Sequence, residues 1–282
     1  MELVVLSGKG GTGKTTIATA LCELSNSVFR VDCDVDAPNL YLYYKGKDIY
    51  TSEFIGGKIA KINREKCSKC NACEKVCRFN AIKDFTVDPF LCEGCNACLV
   101  VCKDNAINIL DEKIANTYIS NIHNGKISRA QMEIGSDGSG KLIADLRRKA
   151  KDYNKENILT IIDSSPGIGC SVISSITGSD AVLIVTEPTK SGFEDFKRVY
   201  DLCSHFNIKV MVCINKYDIN EKVSNQIENF SSDLKIVGKI PYDNVVIQSI
   251  NKLKPITYFE ESIARKAIVE MWNNIKKYLL VD

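Results

Sequence analysis

Read for hydrophobicity alone, the chain alternates between two periods. Short, largely apolar runs occur at Leu3–Leu6, Val28–Val31, Ile158–Ile162, Ala181–Val185, Val210–Ile214 and Ile236–Ile240. Such runs read as strands buried on both faces. Between them apolar residues recur at helical spacing: Ile17, Leu21 and Leu24; Phe193, Phe196, Val199, Tyr200, Cys203 and Phe206; Ile263, Ala267, Met271, Ile275 and Leu279. Strands alternating with helices predict an α/β fold, an open and mostly parallel sheet flanked by helices on both faces. Tyr118–Ile134 alternates loosely and predicts a hairpin. Gly135–Gly140 reads as a flexible loop ahead of a helix near Lys141–Ala150.

Composition narrows the class. The 282 residues carry a formal charge of +2, and no basic stripe stands out, so nucleic acid is not an expected partner. No apolar run approaches the roughly 20 residues that span a bilayer. The N-terminus enters a strand at Leu3, which leaves no room for a charged leader, and a cytoplasmic location is expected. Thirteen cysteines are many for such a chain, and in that compartment metal or redox use is the better reading than disulfides.

The first apolar run leads into Ser7–Thr16, SGKGGTGKTT. Gly8, Gly13, Lys14 and Thr15 fit the phosphate-loop pattern, and the flanking strand and helix are the context it requires. Glycines let backbone N–H groups wrap phosphate oxygens, and the following helix points its positive end at the same anion. Lys14 is expected on the β- and γ-phosphates and the Thr15 hydroxyl on Mg²⁺. The second run ends in Asp32, Asp34 and Asp36, an acidic cluster that is costly unless it faces cations. Ile158–Ile162 ends in Asp163, the expected acid near Mg²⁺, bound through a water. Gly167 follows as the expected backbone sensor of the γ-phosphate. Val210–Ile214 delivers Asn215-Lys216-Tyr217-Asp218, the spelling with which GTPases read guanine.

From about Lys58 the pattern changes. CSKCNACEKVCRFNAI, beginning at Cys67, is repeated as CEGCNACLVVCKDNAI, beginning at Cys92. Each copy spaces cysteines as CxxCxxCxxxC, which resembles bacterial two-cluster ferredoxins. That resemblance implies that Cys67, Cys70, Cys73 and Cys102 hold one [4Fe–4S] cluster, and Cys92, Cys95, Cys98 and Cys77 a second. Zinc is the rival, but its sites usually pair two CxxC knuckles. The proline that usually follows the fourth cysteine is replaced by Arg78 and Lys103.

Lys9, just after the first glycine of the loop, makes that loop resemble the deviant Walker A of the MinD/ParA-type P-loop ATPases, relatives of metallochaperone ATPases and of the nitrogenase iron protein. The resemblance implies ATP rather than GTP, held by Gly8, Gly10, Gly11, Thr12, Gly13, Lys14, Thr15 and Thr16, with Asn215 reading adenine and Pro241-Tyr242-Asp243 closing over the base. It implies that Lys9 reaches the nucleotide of a second copy in an ATP-sandwich homodimer, and that Asp34 orients the attacking water with support from Asp32. In the nitrogenase iron protein a cluster-ligating cysteine follows the second switch at the distance of Cys170. Cys170 therefore reads either as an intersubunit metal or cluster ligand or as a small residue opening the next helix. The basic C-terminal helix resembles the membrane anchor of MinD, yet packing on the sheet is the expected role and a membrane is not an expected partner.

The expected organisation is a discontinuous ATPase domain, 1–57 and 113–282, with an inserted α+β ferredoxin-like domain at 58–112. The expected function is Mg²⁺-dependent ATP hydrolysis in which dimer closure is coupled to two [4Fe–4S] clusters. It would serve electron transfer, or assembly or delivery of a metal cofactor to a redox or metalloprotein client. The alternative is a MinD-like positioning ATPase with the clusters as a redox sensor.

Overall fold

A computed structural model describes residues 1–137, 140–231 and 234–279. Residues 138 and 139 of the expected glycine-rich loop and the last three residues lie outside the described set. In chain order the elements are β1 Glu2–Leu6, α1 Lys14–Leu24, β2 Val28–Cys33, β3 Gly46–Ile62, α2 Ala72–Val76, β4 Ile82–Lys83, β5 Thr86–Val87, α3 Ala97–Val101, β6 Ile107–Ile122 and β7 Gly125–Met132. They continue with α4 Gly140–Tyr153, β8 Leu159–Ser164, α5 Cys170–Ile176, β9 Ala181–Thr186, α6 Lys190–His205, β10 Lys209–Asn215, α7 Glu221–Phe230, β11 Lys235–Ile240, α8 Val245–Asn251 and α9 Ile263–Leu279.

The chain divides into two compact units. The first comprises the described parts of Met1–Thr51, Tyr118–Ala130 and Gly138–Asp282, and the second Ser52–Thr117 and Gln131–Asp137. Strands β3 and β6 each begin in one unit and end in the other.

In the first unit the strand order is β11-β10-β9-β1-β8-β2-β7-β6-β3. β1 lies between β8 and β9, and β2 between β8 and β7, all parallel. β9, β10 and β11 continue the parallel pairing outward. β6 turns into β7 through His123-Asn124, with Asn124 in the left-handed region, so the expected hairpin is present. Every residue of β2 and β9 is buried, as a parallel sheet covered on both faces requires.

The last helix docks on the sheet. Its buried residues are Ala264, Ile268, Met271, Trp272 and Ile275, while Ile263 is half exposed. The buried stripe therefore drifts around the helix, as a 3.6-residue turn dictates, instead of holding the four-residue spacing of Ile263, Ala267, Met271, Ile275 and Leu279. Gly238 on β11 lets Met271 approach, since a Cβ there would stand 2.6 Å from its side chain. Trp272 Nε1 donates to the Leu24 carbonyl at 3.2 Å, and Asn274 Nδ2 to that of Val237 at 2.9 Å.

The second unit repeats its backbone where the sequence repeats. Asn71 and Asn96 precede α2 and α3 in the left-handed conformation, with φ of 62° and 68°. Lys69 and Gly94, matched in the repeat, both have φ near 60° (59° and 56°). Its buried core is small: Ala60, Cys73, Ile82, Cys98 and Ile107.

Candidate functional site

The loop between β1 and α1 builds the first site. Gly11 and Gly13 take φ of 79° and 89°, which glycine adopts without penalty. Gly13 stands at the N-terminus of α1 with no side-chain cap, so the first-turn amides remain open to an anion. A Cβ at Gly13 would collide with the Asn215 amide, and one at Gly8 would stand 2.5 Å from Asp195. Gly10 lies in open space and is exposed with Gly11, whereas Thr16 is half-buried at the start of α1. The Thr12 hydroxyl is buried without a partner. A loop with open helix amides and an orphaned donor fits a bound phosphate.

Three strand ends converge behind that loop. The Lys14 ammonium is 2.6 Å from Asp163 Oδ1 and 3.8 Å from Asp34 Oδ2. The Thr15 hydroxyl donates to Asp163 Oδ2 at 2.7 Å. Burial pulls the Lys14 pKa down, but Asp163, Asp34 and Asp32 together more than offset it and the net shift is upward. Asp32 is buried and accepts from the Asp34 amide at 3.3 Å and the Leu40 amide at 3.1 Å. Burial, with the Asp163 charge adding, raises its carboxyl to about 8. Burial also raises Asp34, against the opposing charge of Lys14. Thr15 and Asp163, together with Asp34, form an oxygen set suited to a hard divalent cation, already neutralised by Lys14.

The remaining expected residues fall into separate groups. The Gly167 amide donates to the Ser7 carbonyl at 2.9 Å, which ties the segment after β8 to the loop. Asn215 Nδ2 donates to the Thr12 carbonyl at 2.8 Å. Pro241 follows β11, and the adjacent Tyr242 amide donates to Asp218 at 2.8 Å. Asp243 spends both carboxylate oxygens on its own chain: Oδ1 accepts from the Val245 amide, Oδ2 from Ser262 Oγ and the Ala264 amide. Burial pushes its pKa up, and these bonds outweigh that and lower it. Its carboxylate therefore joins α8 to the start of α9. Cys170 opens α5 and is exposed, whereas Cys22, Cys33, Cys203 and Cys213 are buried.

Lys9 points away from Lys14's partners. Its ammonium bonds Glu187 Oε1 at 2.7 Å, Thr189 Oγ1 at 3.1 Å and Ser191 Oγ at 3.0 Å, all in the same chain. Sequence reasoning gave Glu187 no role. Its proximity follows from β9 lying beside β1, a strand order that spacing along the chain does not reveal.

In the second unit, Cys77, Cys92, Cys95 and Cys98 line one small cavity, with Ala60, Phe79 and Ile82. Cys67, Cys70, Cys73 and Cys102 line another, with Ile62, Phe85 and Ile107. Backbone amides donate to thiols at both: Ala81 to Cys77 at 3.4 Å and Ala60 to Cys92 at 3.5 Å, and Ala106 to Cys102 at 3.3 Å. Among the described residues, no group of His, Cys, Asp and Glu is disposed to hold a single metal ion. Thiols arranged around a cavity and supported by amide donors fit a polynuclear group.

A parallel sheet that ends in a glycine loop, a buried lysine and converging aspartates defines a phosphate-loop nucleotide-binding protein. The chain belongs to the CobQ/CobB/MinD/ParA nucleotide binding domain family, whose model matches residues 3–256. It is 36% identical over 283 residues to an uncharacterized protein of Methanocaldococcus jannaschii, covering 99% of this chain and 98% of that one. The septum site-determining protein MinD of Escherichia coli (strain K12) is 23% identical, over 95% of this chain and 88% of its own. Among solved structures, MinD of Pyrococcus horikoshii in complex with Mg-ADP superposes with a TM-score of 0.60 at 19% identity, covering 98% of this chain and 96% of its own. The cell division ATPase MinD of Pyrococcus furiosus gives 0.60 at 16%, with 98% of both chains covered. At those identities the structures share the fold. Among the described residues no helix is long and apolar enough to cross a membrane.

Proposed function

We propose that this protein is a Mg²⁺-dependent ATPase in which nucleotide-driven closure of a homodimer is coupled to two [4Fe–4S] clusters. It serves electron transfer to a redox or metalloprotein client, or the assembly or delivery of a metal cofactor. The observation that carries the reading is one chain holding both constellations: Lys14, Thr15, Asp34 and Asp163 behind a phosphate loop, and eight thiols grouped four and four around two cavities.

Lys14 would neutralise the β- and γ-phosphates, and Thr15, with Asp163 acting through a water, would hold Mg²⁺. Those two groups bond each other, so the oxygens that would hold the ion are already adjacent. Asp34, close to Lys14 and largely shielded, orients the attacking water. Gly167 gives up the Ser7 carbonyl when its amide turns to the γ-phosphate. Lys9 reaches the phosphates of the second copy. Asn215 holds the loop floor through Thr12 while its strand end faces the base. The clusters supply one-electron chemistry when bound by Cys67, Cys70, Cys73 and Cys102 and by Cys92, Cys95, Cys98 and Cys77. Coupling has a covalent route, because β3 follows the Asp34 segment and runs into the cysteine-bearing unit without a break. The domain division proposed is a nucleotide domain carrying an inserted ferredoxin-like domain.

Anaerobic purification with iron and sulfide counts tests the reading, together with EPR of the reduced protein in ATP and in ADP. About eight irons per chain and a nucleotide-dependent signal are expected. Zinc in place of iron, or identical spectra in both nucleotides, overturns it. Asp34→Ala should lower turnover by about 100-fold or more while ATP-bound dimers still form. A variant that hydrolyses normally removes Asp34 from the mechanism.

A further inference from the structure

An ammonium has three hydrogens to donate. At Lys9 the chain surrounds it with three acceptors of its own, Glu187 Oε1, Thr189 Oγ1 and Ser191 Oγ. The pair is largely shielded, with 28% of the lysine side chain and 16% of the glutamate side chain accessible. Glu187 also lies between two segments of the site. Its second oxygen is 3.4 Å from Lys216, whose ammonium also reaches the Gly11 carbonyl at 3.5 Å.

Neither side of this contact needs it for shape. The Lys9 backbone is held by the Ser7 hydroxyl, which donates to its carbonyl at 2.9 Å. The loop is held by Asn215 and by the Gly167 amide. Thr189 separately caps α6, accepting from the Gly192 amide at 2.9 Å, and its own amide donates to the Glu187 carbonyl at 2.8 Å. Two surfaces that stand independently, joined by one flexible side chain, make a contact that can release without unfolding either.

We propose that Glu187 is a latch that parks Lys9 inside its own subunit and thereby sets the protein concentration at which two nucleotide-loaded copies close on each other. The proposal rests on the reading of Lys9 as the residue that reaches the second copy's phosphates. Before it does so, the ammonium must leave one carboxylate and two hydroxyls. A protein whose competent form is only fractionally populated binds its partner more weakly by that fraction. The triphosphate of the second copy offers more negative charge than Glu187, so exchange is favourable once that copy is present and rare before.

Sedimentation equilibrium of the full chain, in Mg²⁺ and saturating non-hydrolysable ATP analogue, tests the latch. Glu187→Gln keeps an acceptor of the same shape and removes the charge. Its dimer dissociation constant should fall about three- to tenfold. Ser191→Ala removes one acceptor and leaves the carboxylate in place, and a fall of about twofold is expected. A Glu187→Gln dimer as weak as wild type, or weaker, overturns the latch, as does a Ser191→Ala change in the opposite direction should Glu187→Gln fail to fold. A wild-type chain that stays monomeric at every concentration removes the reading of Lys9 and the latch with it. A wild-type chain that dimerises while the variants do not tighten removes the latch alone.

Discussion

The two constellations solve the problem of buried polar groups in opposite ways. Behind the phosphate loop, charge is paired with charge: Lys14 lies against Asp163, Asp163 against Thr15, and Asp32 against two backbone amides. That site also rests on a thick apolar layer in which Leu3, Val5, Ile17, Leu183 and Met211 are buried. Among the described residues that line the thiol cavities there is no basic side chain to make such an ion pair. Cysteines supply part of the core, alongside Ala60, Ile82 and Ile107, and backbone amides are the donors that reach the sulfurs. On the proposed function, one site would be built from protein groups before its ligand arrives, and the other would use its ligand as core.

If the contrast holds, stripping iron should have the largest effect of any manipulation. The cysteine-bearing unit should become sensitive to limited proteolysis between Cys67 and Cys102, while the nucleotide unit stays resistant and still binds a fluorescent ATP analogue. Metal binding that supplies folding free energy behaves in this way. A stripped unit as resistant as the loaded one breaks the comparison. Lys14→Ala comes next. It leaves Asp163 buried with no cation, and about 3–5 kcal/mol of stability should be lost in denaturant unfolding of the nucleotide-free protein. A loss under about 1 kcal/mol would mean that the pair is not preorganised. Leu183→Ala, within the thick layer, should cost about 2–5 kcal/mol by the same measurement. Among cysteines, Cys102→Ala should lower iron from about eight to about four atoms per chain, and Cys170→Ala, exposed and outside both cavities, should leave the count in the isolated chain unchanged. At the small end, Glu228→Gln breaks a surface pair with Lys239 and should change stability by at most about 1 kcal/mol.

What could be read in advance follows the range of the interactions involved. The apolar runs of β1, β2 and β8–β11 are legible because burial on both faces leaves a continuous signature. The loop is legible because its chemistry is local, from Gly8 to Thr16. β3 is not legible as a strand: most of it is exposed, its charged residues resemble a linker, and Gly56-Gly57 interrupts it. Consequently the second unit starts at Ser52 and reclaims Gln131–Asp137, whereas composition alone suggests residues 58–112. Glu187 was invisible for a topological reason, since no spacing rule puts β9 beside β1. Asp243 is a second such case. The resemblance puts it in a loop that closes over the base, and its carboxylate accepts from Val245, Ser262 and Ala264, contacts that no spacing rule reveals.

The bond from Trp272 to the Leu24 carbonyl has a practical consequence. It is the single tryptophan of the chain, it is nearly buried, and its indole N–H is satisfied at the end of the helix that begins with Lys14. Its emission is therefore a built-in gauge of whether the last helix stays seated. A red shift would report that helix lifting from the sheet, and an unshifted spectrum on adding nucleotide or vesicles would report that it remains in place.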